Sequence, residues 1–329
     1  MSSSTVLTTR PTAKLAQLRI VLDTLLRLLP GLPSLGLVGK VLKYAALLLL
    51  ALNARSFPGM WHVRLWAHVW YWQAKRRLFR NDKRYMELMS PIGQSPFSAL
   101  HIMRGLATLD DCDMFGHLSN SSYAKTLDIA RFQTLMKYTV CFYAEKGVTA
   151  LGGSDYAFFR EIPIMSPYEM RTTIGGWDHK WIYLITYFIT YPKKGTKEYK
   201  ALKSSTPQIP PAPLPRDLLP SNALLNCVAV SRYCFKNRRL TVPPTIVLSL
   251  NGYGATSEIG WTRWHRKEQL RKEGKLKKVL AGAWNEEMER SSEEGGYGLP
   301  EFEEDRKKGM EICGKLWQGL DGLRAVAVQ

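Results

Sequence analysis

The chain has 329 residues, 45% of them hydrophobic, and a formal net charge of +18. This length holds two domains or one domain with long extensions. The charge is +11 over residues 1–90, +6 over 91–260 and +1 over 261–329. The basic excess therefore adjoins the most apolar part of the chain, which favours an anionic membrane surface as partner. No zinc-finger spacing or RNA-binding signature occurs, so nucleic acid is excluded as a partner. The cysteines, Cys112, Cys141, Cys227, Cys234 and Cys313, are odd in number and form no Cys-x-x-Cys pair. Structural zinc and a disulfide framework are thereby disfavoured, and reduced thiols suit the cytosol or an organelle matrix. No metal-ligand spacing or cofactor motif is present, so no cofactor is expected.

Residues 1–34 carry Leu15, Leu18, Leu22, Leu25, Leu26 and Leu29 at helical spacing, and no acidic residue precedes Asp23. This segment reads as an amphipathic surface helix or a mitochondrial targeting helix. Residues 35–90 read as an anchor. Leu35 to Ala54 is long enough to cross a bilayer, although Lys40 and Lys43 interrupt it and would have to snorkel. Lying at the interface is the alternative. Next, Trp61, Trp66, Trp70, Tyr71 and Trp72 alternate with Arg64, His68, Lys75, Arg76 and Arg77, as at a membrane interface. The positive-inside rule then puts the following domain in the cytosol.

Ala99 to Leu109 predicts a first strand. It enters a polar cluster, Asp110-Asp111-Cys112-Asp113-Met114-Phe115-Gly116-His117-Leu118-Ser119-Asn120. A helix follows on the apolar spacing of Tyr123, Leu127, Ala130 and Thr134, running to about Tyr138, with Ser119 or Asn120 as N-cap. The cluster thus sits at a helix N-terminus, where free amides and the helix dipole favour negative charge. A carboxylate beside such donors suits attack on a carbonyl. Gly152-Gly153 predicts a break, with strands over Ser154–Ile164, Tyr168–Trp177, Trp181–Tyr191 and Leu224–Phe235. Asp178 to Lys180 predicts a tight turn. Residues 192–222, with seven prolines and a lysine run, predict a disordered or extended insertion. Thr245 to Leu250 closes the sheet or exits from it. Residues 261–329 predict a charged extension of helices and disorder. One long helix with four to six antiparallel strands makes an α+β fold.

The pattern Asp-x-x-Gly-His-x-x-Asn-x-x-Tyr, on Asp113, Gly116, His117, Asn120 and Tyr123 and continued by Asp128 and Arg131, resembles the hotdog-fold acyl-CoA thioesterases of the 4-hydroxybenzoyl-CoA thioesterase-like superfamily. Within it the chain is similar to membrane-anchored proteins of the THEM-six type and to fungal thioesterase-like relatives. The resemblance spans about Phe97 to Leu250. It implies an antiparallel sheet wrapped around the long helix, in a domain over 91–260. It also implies homodimers or higher homo-oligomers, and hydrolysis of an acyl-CoA or other acyl thioester in lipid or secondary metabolism. Asp113 would be nucleophile or general base, with a turn-forming role as the structural alternative. His117 would orient water or bond the thioester oxygen. The amides of Gly116 and His117 are candidate oxyanion donors. Asn120 would bond the carbonyl or cap the helix, and Tyr123 would line the core or touch substrate. Phe115 and Ser119 replace polar residues of the plant acyl-ACP enzymes. They support the alternative of a non-catalytic, membrane-anchored protein that binds acyl chains or partner proteins. Cys112 has no basic partner at fixed spacing, so it is a weak nucleophile candidate. The anchored resemblance places the chain at the endoplasmic reticulum membrane, with mitochondria as the alternative.

Overall fold

A computed structural model describes residues 35–79, 81–205 and 208–317. The amphipathic or targeting segment expected at 1–34 lies outside these residues. The chain divides into Met1–Ala54 and Arg55–Gln329. In the first unit, α1 is Leu35–Leu52 and exposes Val41, Leu42 and Leu47 to Leu50. Among the described residues no helix is long and apolar enough to cross a membrane. The spanning segment expected at 35–54 is therefore not supported: the helix has 18 residues and carries Lys40 and Lys43 in its first half.

The second unit begins with α2 (Met60–Leu78) and α3 (Asp82–Met89). There follow β1 (Leu100–Leu106), α4 (Asn120–Tyr138), α5 (Val140–Ala144), β2 (Val148–Phe158), β3 (Pro167–Trp177) and β4 (Ile182–Thr190). After α6 (Lys197–Ser204) come β5 (Leu224–Asn237), β6 (Leu240–Val242) and α7 (Pro244–Leu250). The last helices are α8 (Ser257–Lys272), α9 (Leu276–Val279), α10 (Asn285–Glu289) and α11 (Glu303–Trp317).

The strands form one antiparallel sheet in the order β1-β3-β4-β5-β2, with β6 paired to β5. Strand alternation divides β4 between two layers. Leu184 and Phe188 face the core that holds Leu135 and Leu127 of α4, whereas Ile185, Tyr187 and Ile189 meet Leu214, Leu218 and Ile312 on the other face. Both faces are covered, so β3 to β5 are buried along almost their whole length rather than in alternation. The long helix against an antiparallel sheet is the expected hotdog-like α+β arrangement. Buried Arg131 ties α4 to β2 and β5, because its Nη1 donates to Ser154 Oγ (2.7 Å) and Ser231 Oγ (2.8 Å) while Nη2 bonds Asp128.

Several local expectations are corrected. Gly152-Gly153 does not break the chain but lies inside β2, at a register shift between Leu151 and Gly153. Gly152 is required there because a Cβ would come within 2.2 Å of the Trp181 ring. The proline-rich stretch is not structureless: it contains α6, and Leu214, Leu218 and Leu219 are buried against the sheet. Thr245–Leu250 is a helix rather than a strand, entered through Pro243-Pro244. The residues after 260 are not a solvated tail within the described range. Trp264, Leu270, Tyr297 and Phe302 are buried, and α11 lies on β3 so closely that a Cβ on Gly309 would stand 2.1 Å from the Gly175 carbonyl oxygen.

Candidate functional site

The cluster before α4 is a tight hairpin. Asp113 N donates to His117 O at 2.8 Å and Gly116 N to Asp113 O at 3.1 Å, closing a turn whose last residue, Gly116, has φ +76. Glycine adopts this left-handed backbone without a Cβ penalty. The carboxylate of Asp113 bends back into the same turn. Its Oδ1 accepts from Phe115 N (2.9 Å) and His117 N (3.3 Å). Oδ2 of this exposed residue has no hydrogen bond among the described residues.

The hairpin is held from one side by the chain ahead of β3. Leu118 N donates to Ile162 O and Ile164 N to Gly116 O, both at 2.8 Å, and His117 is bridged to Pro163. This register brings Glu161 to His117, whose Nε2 lies 3.1 Å from Glu161 Oε2. Glu161 was not legible as a site residue, because 43 residues lie between it and His117 and no motif marks it.

The other carboxylates of the cluster are structural. Asp111 is buried, accepts from Thr108 Oγ1 at 2.9 Å, and meets Arg55 Nη1 at 3.6 Å and Lys125 Nζ at 3.5 Å. Asp110 accepts from Ser56 Oγ at 2.8 Å. Hydrogen bonds from Thr108 and Ser56 outweigh the burial that would otherwise raise it, and hold Asp110 below the usual carboxylate range. Burial, and then the charges of Asp111, Asp113 and Asp110, push the Cys112 thiol up, so a thiolate there is disfavoured.

Ser119, not Asn120, caps α4: its Oγ accepts from Ser122 N at 3.3 Å. Asn120 is the first helical residue, and its exposed side chain is uncommitted among the described residues. The first-turn amides of Asn120 and Ser121 have no intrahelical acceptor. The amides of Gly116 and His117, expected as oxyanion donors, are instead consumed by Asp113. Tyr123 is buried, with its ring 4.8 Å from Phe188 and 5.1 Å from Phe158, and burial drives its phenol well above the ordinary tyrosine range. It is a core residue in this chain. Met114, Phe115 and Met165 are strongly exposed around the hairpin tip, so the site has an apolar rim.

Residues 107–204, which include the hairpin and α4, match the family model described as "Thioesterase-like superfamily". The probable thioesterase atnL of Emericella nidulans is 26% identical over 307 residues, covering 87% of this chain and 88% of that protein. Thioesterase poxG of Penicillium oxalicum is 28% identical over 248 residues, covering 68% of this chain and 77% of its own. Protein THEM6 of Drosophila melanogaster is 37% identical over 97 residues, which are 26% of this chain and 46% of that protein. Among solved structures, the 4-hydroxybenzoyl CoA thioesterase from Pseudomonas sp. superposes with a TM-score of 0.32 at 14% identity, over 44% of this chain and 94% of its own. Over residues 107–204 the chain is thus similar to the thioesterase-like superfamily, and over most of its length to fungal thioesterases.

Proposed function

We propose that this protein hydrolyses an acyl-CoA, or another acyl thioester, to a free carboxylic acid and a thiol. The observation that carries the reading is the Asp113 carboxylate, with one oxygen pinned by two backbone amides and the other unbonded. That arrangement fixes the orientation of a base while leaving it a lone pair for the reaction. As general base, Asp113 Oδ2 takes a proton from water as the water oxygen adds to the thioester carbonyl. As nucleophile, it adds to the carbonyl itself, expels the thiolate and forms a mixed anhydride that water then opens. In either route the carbonyl oxygen gains negative charge, and this reading assigns it the free amides of Asn120 and Ser121, with the Asn120 side chain, as donors. His117, steadied by Glu161, is the polar partner that positions water or the thioester.

The reading extends to the membrane. Helix α2 half-buries Trp61, Leu65, Val69 and Trp72 along one stripe and exposes Val63, Trp66, Trp70 and Tyr71 on the rest. Exposed aromatics beside Lys75 and Arg77 suit an anionic bilayer interface, with the hydrolase domain in the cytosol at the endoplasmic reticulum; mitochondria are the alternative. Among the described residues the outer edge of β2 has no strand partner, and a second copy in a homodimer is the occupant proposed for it.

The test is release of free thiol from an acyl-CoA panel, short to long and aryl, by the full chain and by Asp113→Asn. Turnover abolished in a folded Asp113→Asn variant supports the reading. Turnover by wild type and variant alike removes Asp113 from the chemistry, and none by folded wild type on any substrate overturns the proposal.

A further inference from the structure

Helix α2 runs alongside α4 from the site towards the far end of the sheet. At its start, Ser56 meets Asp110 and Lys125, and further on His68 meets Gln133 of α4. Between the helices and the free edge of the sheet is a cavity of about 560 Å³. Leu65 and Val69 of α2 wall one side, Phe132 and Met136 of α4 the second, and Val148 and Leu151 of β2 the third. Its few polar groups include Asp128, which is held by Arg131.

Size and placement both point to an extended hydrocarbon chain. A methylene fills about the share of one liquid water, roughly 30 Å³, so the cavity has room for up to about nineteen chain carbons, ample for the distal part of a tail. Asp128 lies about 14 Å along α4 from the cap at Ser119, by the rise of 1.5 Å per residue. A fatty acyl chain spans about that length in one bilayer leaflet, roughly 15 Å. A thioester reacting at the start of α4 therefore feeds the end of a long tail, and not of a short one, into the cavity. One wall belongs to α2, which precedes the matched family segment of residues 107–204. One of the pocket's three walls is thus supplied by an N-terminal helix outside that segment.

We infer that the cavity between α2 and α4 holds the distal part of a long aliphatic acyl tail and selects such substrates over short ones. The inference rests on the thioesterase reading. Its test compares kcat/KM for hexadecanoyl-CoA and butanoyl-CoA with the full chain. In Val69→Trp, whose indole occupies the cavity, the long-to-short ratio is expected to fall about tenfold or more, the loss from excluding two buried methylenes. In Phe132→Ala, which enlarges the cavity, the preferred tail becomes longer. A folded Val69→Trp with the wild-type ratio overturns the inference. If Val69→Trp does not fold, an unmoved chain-length optimum in Phe132→Ala overturns it. If the wild type cleaves no acyl-CoA, the thioesterase reading fails by itself, and binding of the fluorescent fatty acid cis-parinaric acid then decides the tail site. Binding by wild type that is lost in Val69→Trp supports it, and absence of binding by wild type overturns it.

Discussion

Replacing Gly309 by alanine tests whether α11 is part of the sheet's packing or an appended helix, because the two cases differ in sign. In a solvated helix interior, alanine is favoured over glycine by about 1 kcal/mol. At Gly309 the new Cβ would stand 2.1 Å from the Gly175 backbone oxygen and 3.1 Å from the Phe97 ring. A backbone atom cannot rotate away, so α11 must lift from β3 by about an ångström. Overpacking of this kind costs typically 1–3 kcal/mol. The penalty offsets or exceeds the propensity gain, and the expected net effect is destabilisation by up to about 2 kcal/mol. Gly314 of the same helix has nothing within 4 Å of its ideal Cβ, so Gly314→Ala should stabilise by about 0.5–1 kcal/mol. Thermal melting monitored by tryptophan fluorescence reads both, since Trp177 and Trp264 are buried. A domain of this size moves about 2–4 °C per kcal/mol, so the two variants should part by several degrees in opposite directions. Equal upward shifts would refute the docking of α11 on β3.

At Asp113, asparagine keeps the acceptor for the Phe115 and His117 amides but cannot act as a base. Asp113→Asn should hold its melting temperature and lose about 10²–10⁴ in kcat, whereas Asp113→Ala also loses about 1 kcal/mol of stability; a circular dichroism melt beside the thiol-release assay separates them. Lys267 is fully buried with its Nζ 3.4 Å from Cys141 Sγ. Burial holds its ammonium below the ordinary lysine range, although Cys141 and Glu268 pull the other way. Between that lowered value and the unfolded value near 10.4 the unfolded chain binds more protons, so this residue's contribution makes stability rise with pH there. Lys267→Met should therefore melt higher than wild type at pH 7, with the gap closing towards pH 10; a constant gap would discount the charge. Arg131→Ala leaves Asp128 without its partner and removes the guanidinium donor to Ser154 and Ser231, which then keep the bond to each other. The expected loss is about 3 kcal/mol or more, read as a lowered urea midpoint.

The elements that were legible in sequence are those whose signal is local. The apolar spacing from Tyr123 to Thr134 marks α4, and the β-branched and aromatic run from Trp181 to Tyr191 marks β4, because each pattern arises within the element itself. What misled were residues whose conformation is set from far away. Gly152 reads as a breaker until Trp181, across the sheet, is seen to need the missing side chain. The charged stretch after 260 reads as solvated because its buried Trp264, Leu270 and Ile312 are spaced among residues that face water.

The same division runs through the site. Of the carboxylates Asp110, Asp111 and Asp113 the motif marks only Asp113, and tertiary partners set the other two apart from it. Asp111 is enclosed by Arg55, Lys125 and Thr108, and Asp110 is held by Ser56 and Thr108, so both anchor the loop to the start of α2 and the first turns of α4. Among the described residues the Asp113 carboxylate is bound only by amides of its own turn, and one oxygen has no hydrogen bond. The motif already names Asp113; where Arg55, Ser56 and Lys125 come to rest accounts for the different surroundings of Asp110 and Asp111. A charge-neutral change at Ser56 is then expected to loosen the anchoring of α2 while sparing the Asp113 turn, because Ser56 touches Asp110 and Lys125 and makes no contact with Asp113.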